Sequence, residues 1–401
     1  MKKDILKTTI KSFFTYILLG VISGVVGTLF SKGVSLVTNM RCENPWLLYL
    51  LPVAGVISVL IYKLLKVTDM GTNQVIKSTG NKNALSSKLA PAVFFGSLLS
   101  HLCGASVGRE GAALQLGGSS ALFLSQRLKL NREEEKILIY CGMAGVFSSV
   151  FGTPLAAAVF ALEVVFVGHI NRKAILPSFV TSFVSFFTAK LLGAHAERFV
   201  LTNVPNINIS VVWKILVLSL LSVVVSILFC LSLHYFEKIF KIVFSNAFLR
   251  IAIGGAIIVL LTVLVGSYDY NGAGVNVIER IFNENEFVPW AFALKILFTC
   301  IAVGAGFKGG EIVPTLFIGA TFGAFMGSLL GLPVAFSAAL CMTALFCGVT
   351  NCPLASVLLA TEIFSGKGVG YIIIAVIISF CLSGRISLYS AQKTDGFKDL
   401  F

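Results

Sequence analysis

The feature that most limits how this chain can fold is a glycine-rich, acidic interruption that occurs twice within apolar sequence. The first interruption, residues 104–111, reads GASVGREG, and the second, 200 residues later at 304–311, reads GAGFKGGE. Each is followed by an apolar segment and then by a shorter one that opens with Pro-Leu-Ala, at Pro154 and at Pro353. Glycine lets the backbone leave a helix, and the free N–H groups at the start of the next helix face a small anion. Broken helices at matching places of two halves are typical of an ion site midway through a membrane.

Lipid, rather than water, is the solvent that this chain is predicted to meet. Hydrophobic residues make up 57% of its 401 positions and charged residues 12%, about half the charged fraction of an ordinary soluble domain. Fourteen apolar segments are predicted between residues 12 and 384. Several are shorter than the roughly 20 residues that a perpendicular membrane span requires. Short segments predict tilted, re-entrant or paired half-helices, which are tolerated where the backbone is buried in protein or lines a cavity.

The net charge of +13 raises the question of a nucleic-acid partner. However, the basic residues are spread over the ends of the apolar segments and form no single basic face, so no nucleic acid is expected. Basic residues beside membrane segments favour the cytoplasmic side. A basic cluster at the start of the chain therefore predicts a multi-pass protein of the cell membrane with a cytoplasmic N-terminus. The cluster consists of Lys2, Lys3, Lys7 and Lys11.

Cysteine and histidine give no sign of a disulfide framework, a metal site or a cofactor. The nine cysteines are odd in number and include no Cys-x-x-Cys spacing, and several, such as Cys230 and Cys341, lie inside apolar runs. Small membrane-embedded residues are the simpler interpretation. The four histidines stand alone without the spacing of metal ligands. We therefore expect neither a metal nor a cofactor.

The two halves are predicted to be copies of one fold. In each half an acidic residue, Glu163 or Glu362, follows the proline of the Pro-Leu-Ala segment by nine residues. Glycine and alanine are common in membrane helices and produce such likeness by chance, but two acidic interruptions and two Pro-Leu-Ala segments in the same order favour a true repeat. We expect one membrane repeat over residues 1–195 and a second over 209–392, inverted relative to each other. No separate cytoplasmic domain is expected, because no hydrophilic stretch is long enough to form one.

At this point the sequence resembles a known family. The runs GREG (108–111), GGEIVP (309–314) and LYSA (388–391) are similar, in the same order, to the anion-pathway segments of CLC chloride channels and proton-coupled antiporters. NGAGVN (271–276) and the Pro-Leu-Ala segments match further family stretches. The resemblance implies an all-α polytopic membrane protein with the CLC fold, in which two inverted-topology repeats consist of tilted and broken helices. It also implies a homodimer with a separate pore in each subunit, which moves anions and protons and is not an enzyme.

Glu110 is the residue most strongly predicted to act in transport. A carboxyl group inside a membrane is costly and indicates function by default. When ionised, it is itself an oxygen anion that can occupy a halide site lined by N–H groups; when protonated, it can leave that site to an ion. The resemblance implies this role, a gating glutamate that also carries protons. A structural ion pair with Arg109 is the alternative, although buried pairs persist only with good geometry.

Further residues are expected to bind the anion through dipoles rather than through full charges. Arg109 would attract anions by its field, while amides at helix starts solvate a halide without binding it too tightly for release. The resemblance implies that the Tyr389 hydroxyl donates to the central anion; an aromatic anchor at the membrane interface is the alternative. The residues at the two glycine-flanked helix starts of the predicted site are Gly108, Arg109, Gly111, Ile312 and Val313.

Two departures from the chloride-transporting members indicate a different halide. Met70 stands where those members carry a serine whose hydroxyl reaches the central anion, and a thioether cannot donate a hydrogen bond. Glu311 stands where they usually carry an apolar residue. Both changes resemble the fluoride-specific subgroup, which exports fluoride in exchange for protons. Taken singly, Met70 would be a gap-filling residue and Glu311 an acid stabilised by a helix N-terminus; together they favour fluoride.

The inner proton path is also expected to differ. Chloride/proton antiporters carry a second glutamate at the end of the Pro-Leu-Ala helix, a position that Val164 occupies here, with Glu163 as a neighbouring structural acid. A shift of one residue would return Glu163 to the proton path, so both registers remain open at this point. With Val164 at that position, Glu311 becomes the candidate proton ligand.

The sequence therefore predicts a fluoride/proton antiporter that exports fluoride. The alternative on the same scaffold is a chloride/proton antiporter or a passive chloride channel. A membrane-embedded enzyme with Glu110 and Glu311 as an acid–base pair is disfavoured, because the sequence offers no convincing nucleophile, metal-ligand cluster or His–carboxylate arrangement. Fluoride is the smallest and most strongly hydrated halide, so short, well-aimed donors are expected to decide selectivity.

Overall fold

Within the residues that the structure describes, the chain folds into sixteen α-helices in two successive sets of eight. This computed structural model describes residues 2–68, 71–80, 85–194 and 196–394, with only the backbone of residues 2–10. The first set consists of α1 (Lys2–Glu43), α2 (Leu51–Leu64), α3 (Thr72–Ser78), α4 (Leu89–Leu102), α5 (Glu110–Arg127), α6 (Arg132–Phe151), α7 (Pro154–Glu163) and α8 (Arg172–Leu191). A 3₁₀ turn, Pro45–Leu50, precedes α2.

The second set repeats the order and the approximate lengths of the first. It consists of α9 (Ile209–Val243), α10 (Ala247–Val265), α11 (Val275–Glu284), α12 (Ala291–Ala305), α13 (Ile312–Leu329), α14 (Val334–Thr350), α15 (Pro353–Ile363) and α16 (Val369–Leu382). The helices that follow the glycine-rich interruptions, α5 and α13, both have 18 residues, and the Pro-Leu-Ala helices α7 and α15 have 10 and 11. The all-α architecture predicted from the sequence is confirmed.

Two helices lie outside the fourteen predicted apolar segments, α3 and α11. The first has seven residues and is mostly polar, and the second buries Val277, Ile278 and Ile281 on one face while its other face is polar. A search for continuous apolar segments misses both, because only part of each helix is apolar.

Local sequence signals set both ends of α6 and its sharp connection to α7. Asn131 accepts the N–H of Glu134 at 3.0 Å, and the Glu134 carboxylate accepts the N–H of Asn131 at 3.1 Å, which forms a capping box before α6. The helix ends at Gly152, whose φ of +75° suits glycine. Pro154 then starts α7 at a position where a missing N–H costs nothing.

The helices divide into an enclosed group and a group that presents apolar side chains outward. Among the described residues, six segments are long and apolar enough to cross a membrane: α1, the 3₁₀ turn with α2, α8, α9, α10 and α13. In α13, 78% of the most apolar window is buried inside the protein, compared with 28% in α10. Large apolar residues such as Leu260 and Leu264 of α10 are exposed. Lipid is the solvent that suits such an outer face.

The enclosed helices approach one another closely at glycines. A Cβ on Gly117 of α5 would lie 2.1 Å from the carbonyl oxygen of Gly142 in α6, and one on Gly319 of α13 would lie 2.6 Å from the Cα of Met342 in α14. Small residues at helix crossings allow this contact, which dispersion forces stabilise in lipid. The helices that follow the two interruptions are therefore packed in the same way.

Each of the two Pro-Leu-Ala helices supplies a carboxyl group that caps the start of the other helix, in the other half of the chain. Glu163, the last residue of α7, accepts the first amides of α15 at 2.8 and 3.3 Å. Glu362 of α15 accepts the first amides of α7 at 2.9 and 3.0 Å. The donors are Ala355 and Leu354 for the first acid and Ala156 and Leu155 for the second. The helices therefore run antiparallel, and each carboxylate lies at the positive end of the other helix.

Candidate functional site

The two glycine-rich interruptions meet each other directly. Gly108 and Gly310 exchange two backbone hydrogen bonds, each with an N···O distance of 2.6 Å. A Cβ on Gly310 would lie 2.2 Å from the backbone nitrogen of Gly111, so this contact requires glycine. The bridge places the start of α5 beside the start of α13, although 200 residues separate the two interruptions in sequence.

Glu110 is fully buried at the first position of α5. Its Oε2 accepts the backbone N–H of Arg109 at 3.1 Å, and its Oε1 faces the Nε of the same residue at 3.4 Å. The Oε2 atom also lies 2.9 Å from the place that a Cβ would take on Gly108. The carboxyl group therefore lies against the glycine bridge.

Arg109 is held between two carboxyl groups. Besides contacting Glu110, its guanidinium forms an ion pair with Glu197 through Nη2 and donates to the Ser31 hydroxyl at 3.1 Å. The ion pair between Arg109 and Glu110 is thus present, but its 3.4 Å distance is long for a charge-assisted hydrogen bond. Because Arg109 also pairs with Glu197, Glu110 is not the sole acid that contacts the guanidinium among the described residues.

The start of α13 carries the second acid. Glu311 is the N-cap residue, and Ile312 and Val313 form the buried first turn. Amides in the first turn have no carbonyl partner within the helix. The Oε2 atom of Glu311 lies 3.4 Å from the place that a Cβ would take on Gly111. The second acid therefore reaches the start of the helix that carries the first.

Tyr389 is buried in the segment that follows α16. Its hydroxyl has no hydrogen-bond partner within the part of the chain that the structure describes. An aromatic anchor at the interface would be exposed, so this burial argues against that alternative. The backbone after the tyrosine is fixed, because Asn73 accepts the N–H of Ala391 at 2.9 Å and β1 (Phe166–Val167) pairs in parallel with β2 (Lys393–Thr394).

A cavity of about 490 Å³ connects this region to the surface. Close to the two helix starts its lining includes Gly71, Thr72, Gln115, Glu311 and Tyr389. Elsewhere its charged lining includes the basic side chains Lys63, Lys241 and Arg250 and one acid, Glu237, which pairs with Lys241. Basic residues along such a cavity raise the local concentration of anions. Glu110 itself does not line the cavity.

Comparison with known proteins identifies the family. Residues 54–384 match the model of the voltage-gated chloride channel family. The chain belongs to this CLC family. Over 384 residues it is 33% identical to the chloride/fluoride channel protein of Pseudomonas syringae pv. tomato, an alignment that covers 94% of this chain and 85% of that protein. CLC proteins are transporters and channels, so the predicted family is confirmed.

Solved CLC structures share the fold. The crystal structure of a CLC-type fluoride/proton antiporter matches with a TM-score of 0.91 and 30% identity, covering 96% of this chain and 98% of the other. A slow cyanobacterial Cl⁻/H⁺ antiporter matches with a TM-score of 0.78 and 22% identity, covering 93% and 92% of the two chains. The CLC fold predicted from the sequence is confirmed, and the chain is a multi-pass membrane protein.

The residues that distinguish CLC subgroups are only partly described. Met70 lies outside the described residues, but the next residue, Gly71, lines the cavity with a φ of +56° that favours glycine. Val164 is fully buried at the end of α7, while Glu163 caps α15. This capping contact is the structural role predicted for Glu163, and it favours the register with Val164 at the proton-transfer position.

Several residues near the site were missed from the sequence. Thr72, Asn73 and Gln115 line the cavity, and Glu197 pairs with Arg109. Glu197 lies in the polar join between the halves, where no pattern signals a partner for a residue 88 positions away. The acids of the two Pro-Leu-Ala helices are equally spaced in the sequence, but spacing alone does not show that each acid caps the other helix. Among the described residues, no group of three His, Cys, Asp or Glu side chains could hold a metal ion.

Proposed function

We propose that this CLC protein is a secondary active antiporter that exports fluoride in exchange for protons. The observation that carries the proposal is the placement of two acids, Glu110 and Glu311, at two helix starts that the Gly108–Gly310 bridge holds side by side. The similarity to a protein named as a chloride/fluoride channel protein and to a fluoride/proton antiporter supports fluoride as the exported ion.

Glu110 acts as the gate and as a proton carrier. In its ionised form the carboxylate occupies the position where a halide would bind, and the backbone N–H of Arg109 stabilises it. When a proton neutralises the carboxyl group, its attraction to Arg109 weakens and the side chain moves away. The position then becomes available to a halide, which the free amides of Gly111, Ile312 and Val313 solvate in its place. The ionised carboxylate and a halide therefore exclude each other from one position, and this couples proton occupancy of Glu110 to anion access.

Glu311 receives protons on the side of the cavity. It lines the cavity while Glu110 does not, so a proton that crosses between the cavity and the gate meets Glu311 on the way. The buried Val164 has no group that carries a proton, which leaves Glu311 as the candidate proton ligand. When protonated, its carboxyl group also becomes a hydrogen-bond donor to a nearby anion.

The chemistry of the site suits fluoride. A small, strongly hydrated anion leaves water only for short hydrogen bonds, and the buried hydroxyl of Tyr389 has no protein partner among the described residues. Met70, at the start of the segment that leads into α3, offers a thioether that does not donate. Fluoride binding then depends on amides, the tyrosine hydroxyl and a protonated carboxyl group.

The assembly that we propose is a homodimer in the cell membrane with one pore in each subunit and a cytoplasmic N-terminus. Each subunit consists of two inverted repeats, residues 1–195 and 209–392, and has no enzymatic activity. The matching helix lengths and the reciprocal caps of α7 and α15 support the repeat.

A chloride/proton antiporter or a passive chloride channel is the second candidate. The observation in its favour is that backbone amides and a tyrosine hydroxyl solvate chloride as well as fluoride. The fold does not discriminate, because a Cl⁻/H⁺ antiporter shares it.

Flux measurements on purified protein in liposomes test the proposal. Liposomes loaded with equal concentrations of fluoride and chloride are diluted into anion-free buffer, and an ion-selective electrode for each anion and a pH electrode record the efflux. We expect fluoride efflux that is much faster than chloride efflux and is accompanied by proton uptake. Equal rates for the two anions would support the second candidate. Anion efflux without proton movement would indicate a passive channel instead of an antiporter.

A further inference from the structure

The hydroxyl of Thr72 is poised to form a new hydrogen bond. Thr72 is the first residue of α3 and is buried, with 5% of its surface exposed. Its hydroxyl faces the carbonyl oxygen of Gly111 at 3.4 Å, whereas a normal O–H···O hydrogen bond measures about 2.7–2.8 Å. A hydroxyl rotates freely about its C–O bond. The present contact is therefore weak. A stronger acceptor nearby would accept the hydrogen bond of this hydroxyl in place of the Gly111 carbonyl.

This hydroxyl lies at the helix start where the proposed anion site is. The place that a Cβ would take on Gly111 lies 3.3 Å from the Thr72 Oγ1 and 3.4 Å from the Glu311 Oε2. The threonine hydroxyl and the acid therefore flank the same glycine, in the first turn of the helix that begins with the gate. Thr72 and Glu311 also line the same cavity.

A second residue with a buried hydroxyl also lines this cavity. Tyr389 lines it, and its buried hydroxyl has no partner among the described residues. Asn73, the neighbour of Thr72, accepts the backbone N–H of Ala391, two residues after the tyrosine. This bond fixes the segment that carries Tyr389 to the helix that carries Thr72. A buried hydroxyl that remains unpaired is costly, so an anion in this cavity is a suitable acceptor for it.

We propose that Thr72 donates a hydrogen bond to the transported fluoride and thereby contributes to its selection over chloride. This inference rests on the proposed function, since it assigns a specificity-determining residue to the same site. Fluoride accepts short, directed hydrogen bonds, and the threonine hydroxyl can turn toward it from its weak contact with Gly111. Chloride is larger and softer, so a single short donor stabilises it less.

Three variants of Thr72 separate the hydroxyl from the shape of the side chain. Thr72→Val keeps the volume and removes the hydroxyl, Thr72→Ala removes it without adding an atom, and Thr72→Ser keeps it. Loss of one hydrogen bond to an ion is expected to weaken fluoride binding by about tenfold or more. Thr72→Ser should stay within about twofold of the unmodified protein. The matched control is Thr79→Val at the other end of α3, where the hydroxyl bonds to the carbonyl of Ile76 at 2.8 Å.

Fluoride binding to the purified protein, measured by calorimetry, is combined with the two-anion efflux assay. We expect Thr72→Val and Thr72→Ala to weaken fluoride binding and to reduce the ratio of fluoride to chloride efflux, while Thr72→Ser and Thr79→Val change neither. An unchanged ratio in both hydroxyl-free variants would overturn the role of Thr72, as would an equal loss of both anions. Unmodified protein that fails to exchange fluoride for protons would instead refute the proposed function itself, so the two failures are distinct.

Discussion

Glu110 is buried, but its neighbours allow its side chain to move away. Its carboxyl group accepts a backbone N–H at 3.1 Å, which stabilises the ionised form, but its contact with the Arg109 guanidinium is only a 3.4 Å one. Arg109 has a second acid, Glu197, and the Ser31 hydroxyl. A buried cation that loses its only counter-ion is strongly destabilising. Here the arginine would keep one, and this makes movement of the gate energetically possible.

Replacing Glu110 by glutamine tests the gate directly. Glutamine has nearly the same shape but binds no proton, so Glu110→Gln is expected to abolish proton uptake during fluoride efflux from liposomes. Any fluoride efflux that remains should lose its coupling to proton uptake, because the neutral side chain at position 110 no longer alternates between two charge states. Simultaneous fluoride and pH recording gives the measurement.

The control for this variant is Glu133→Gln, which makes the same change at an exposed acid on α6. It should retain the normal ratio of protons to fluoride. Persistent proton coupling in Glu110→Gln would show that another residue carries the proton.

Glu197 is predicted to matter although no sequence pattern marks it. With Glu197→Gln, Glu110 becomes the sole counter-ion among the acids that contact Arg109. Its ionised form is then held more tightly by the guanidinium, and opening becomes rarer. We expect fluoride turnover to fall by about three- to tenfold, which corresponds to roughly 1 kcal/mol of added attraction, with the proton-to-fluoride ratio preserved. Turnover equal to that of Glu133→Gln would show that Glu197 does not help the gate to open.

Among the helices, the reciprocal caps of α7 and α15 join the two halves. Glu163 and Glu362 each accept two amides at the start of the opposite helix. An isolated cap contributes about 1 kcal/mol. Because each bond pair crosses between the halves, loss of either cap should loosen their contact rather than fray one helix.

The two capping acids are therefore expected to stabilise the protein. Glu163→Gln and Glu362→Gln each keep one acceptor oxygen and lose the charge, so each should lower the melting temperature in detergent by roughly 1–4 °C. The double variant should lose less than the sum, because both caps belong to one contact. Melting curves beside Glu133→Gln give the comparison. A melting temperature equal to that control would show that the caps are not stabilising.

How far the sequence predicts these elements depends on what kind of signal each carries. The glycine-rich interruptions and the Pro-Leu-Ala starts are local, so the helix starts at Glu110 and Pro154 could be predicted. The short helix α3 is mostly polar, so a search for apolar segments does not predict it. The place of Thr72 at the start of this helix is therefore not predicted either. Contacts between distant segments, such as that of Arg109 with Glu197, depend on the packing of whole helices, which no spacing encodes.

At the scale of the molecule, the length of α1 indicates which parts of the chain share a side of the membrane. This helix has 42 residues and is therefore about 63 Å long at 1.5 Å per residue, longer than the roughly 40–45 Å of a bilayer with its headgroups. We expect its two ends to lie on opposite sides, and the following segment, Pro45–Leu64, is long and apolar enough to return across the membrane. Lys63, together with the cavity that it lines, is then expected on the same side as the N-terminus.

Chemical labelling of Cys42 tests which side of the membrane that is. It is the exposed one of the nine cysteines, seven of which are buried, and it lies at the far end of α1. If the N-terminus is cytoplasmic, a membrane-impermeant maleimide should label intact cells at Cys42, and Cys42→Ser should remove the label. Labelling that requires permeabilised cells would reverse the orientation. With Cys42 outside, the cavity that reaches Glu311 opens to the cytoplasm, the side from which an exporter must take up fluoride, and its basic lining would gather the anion there.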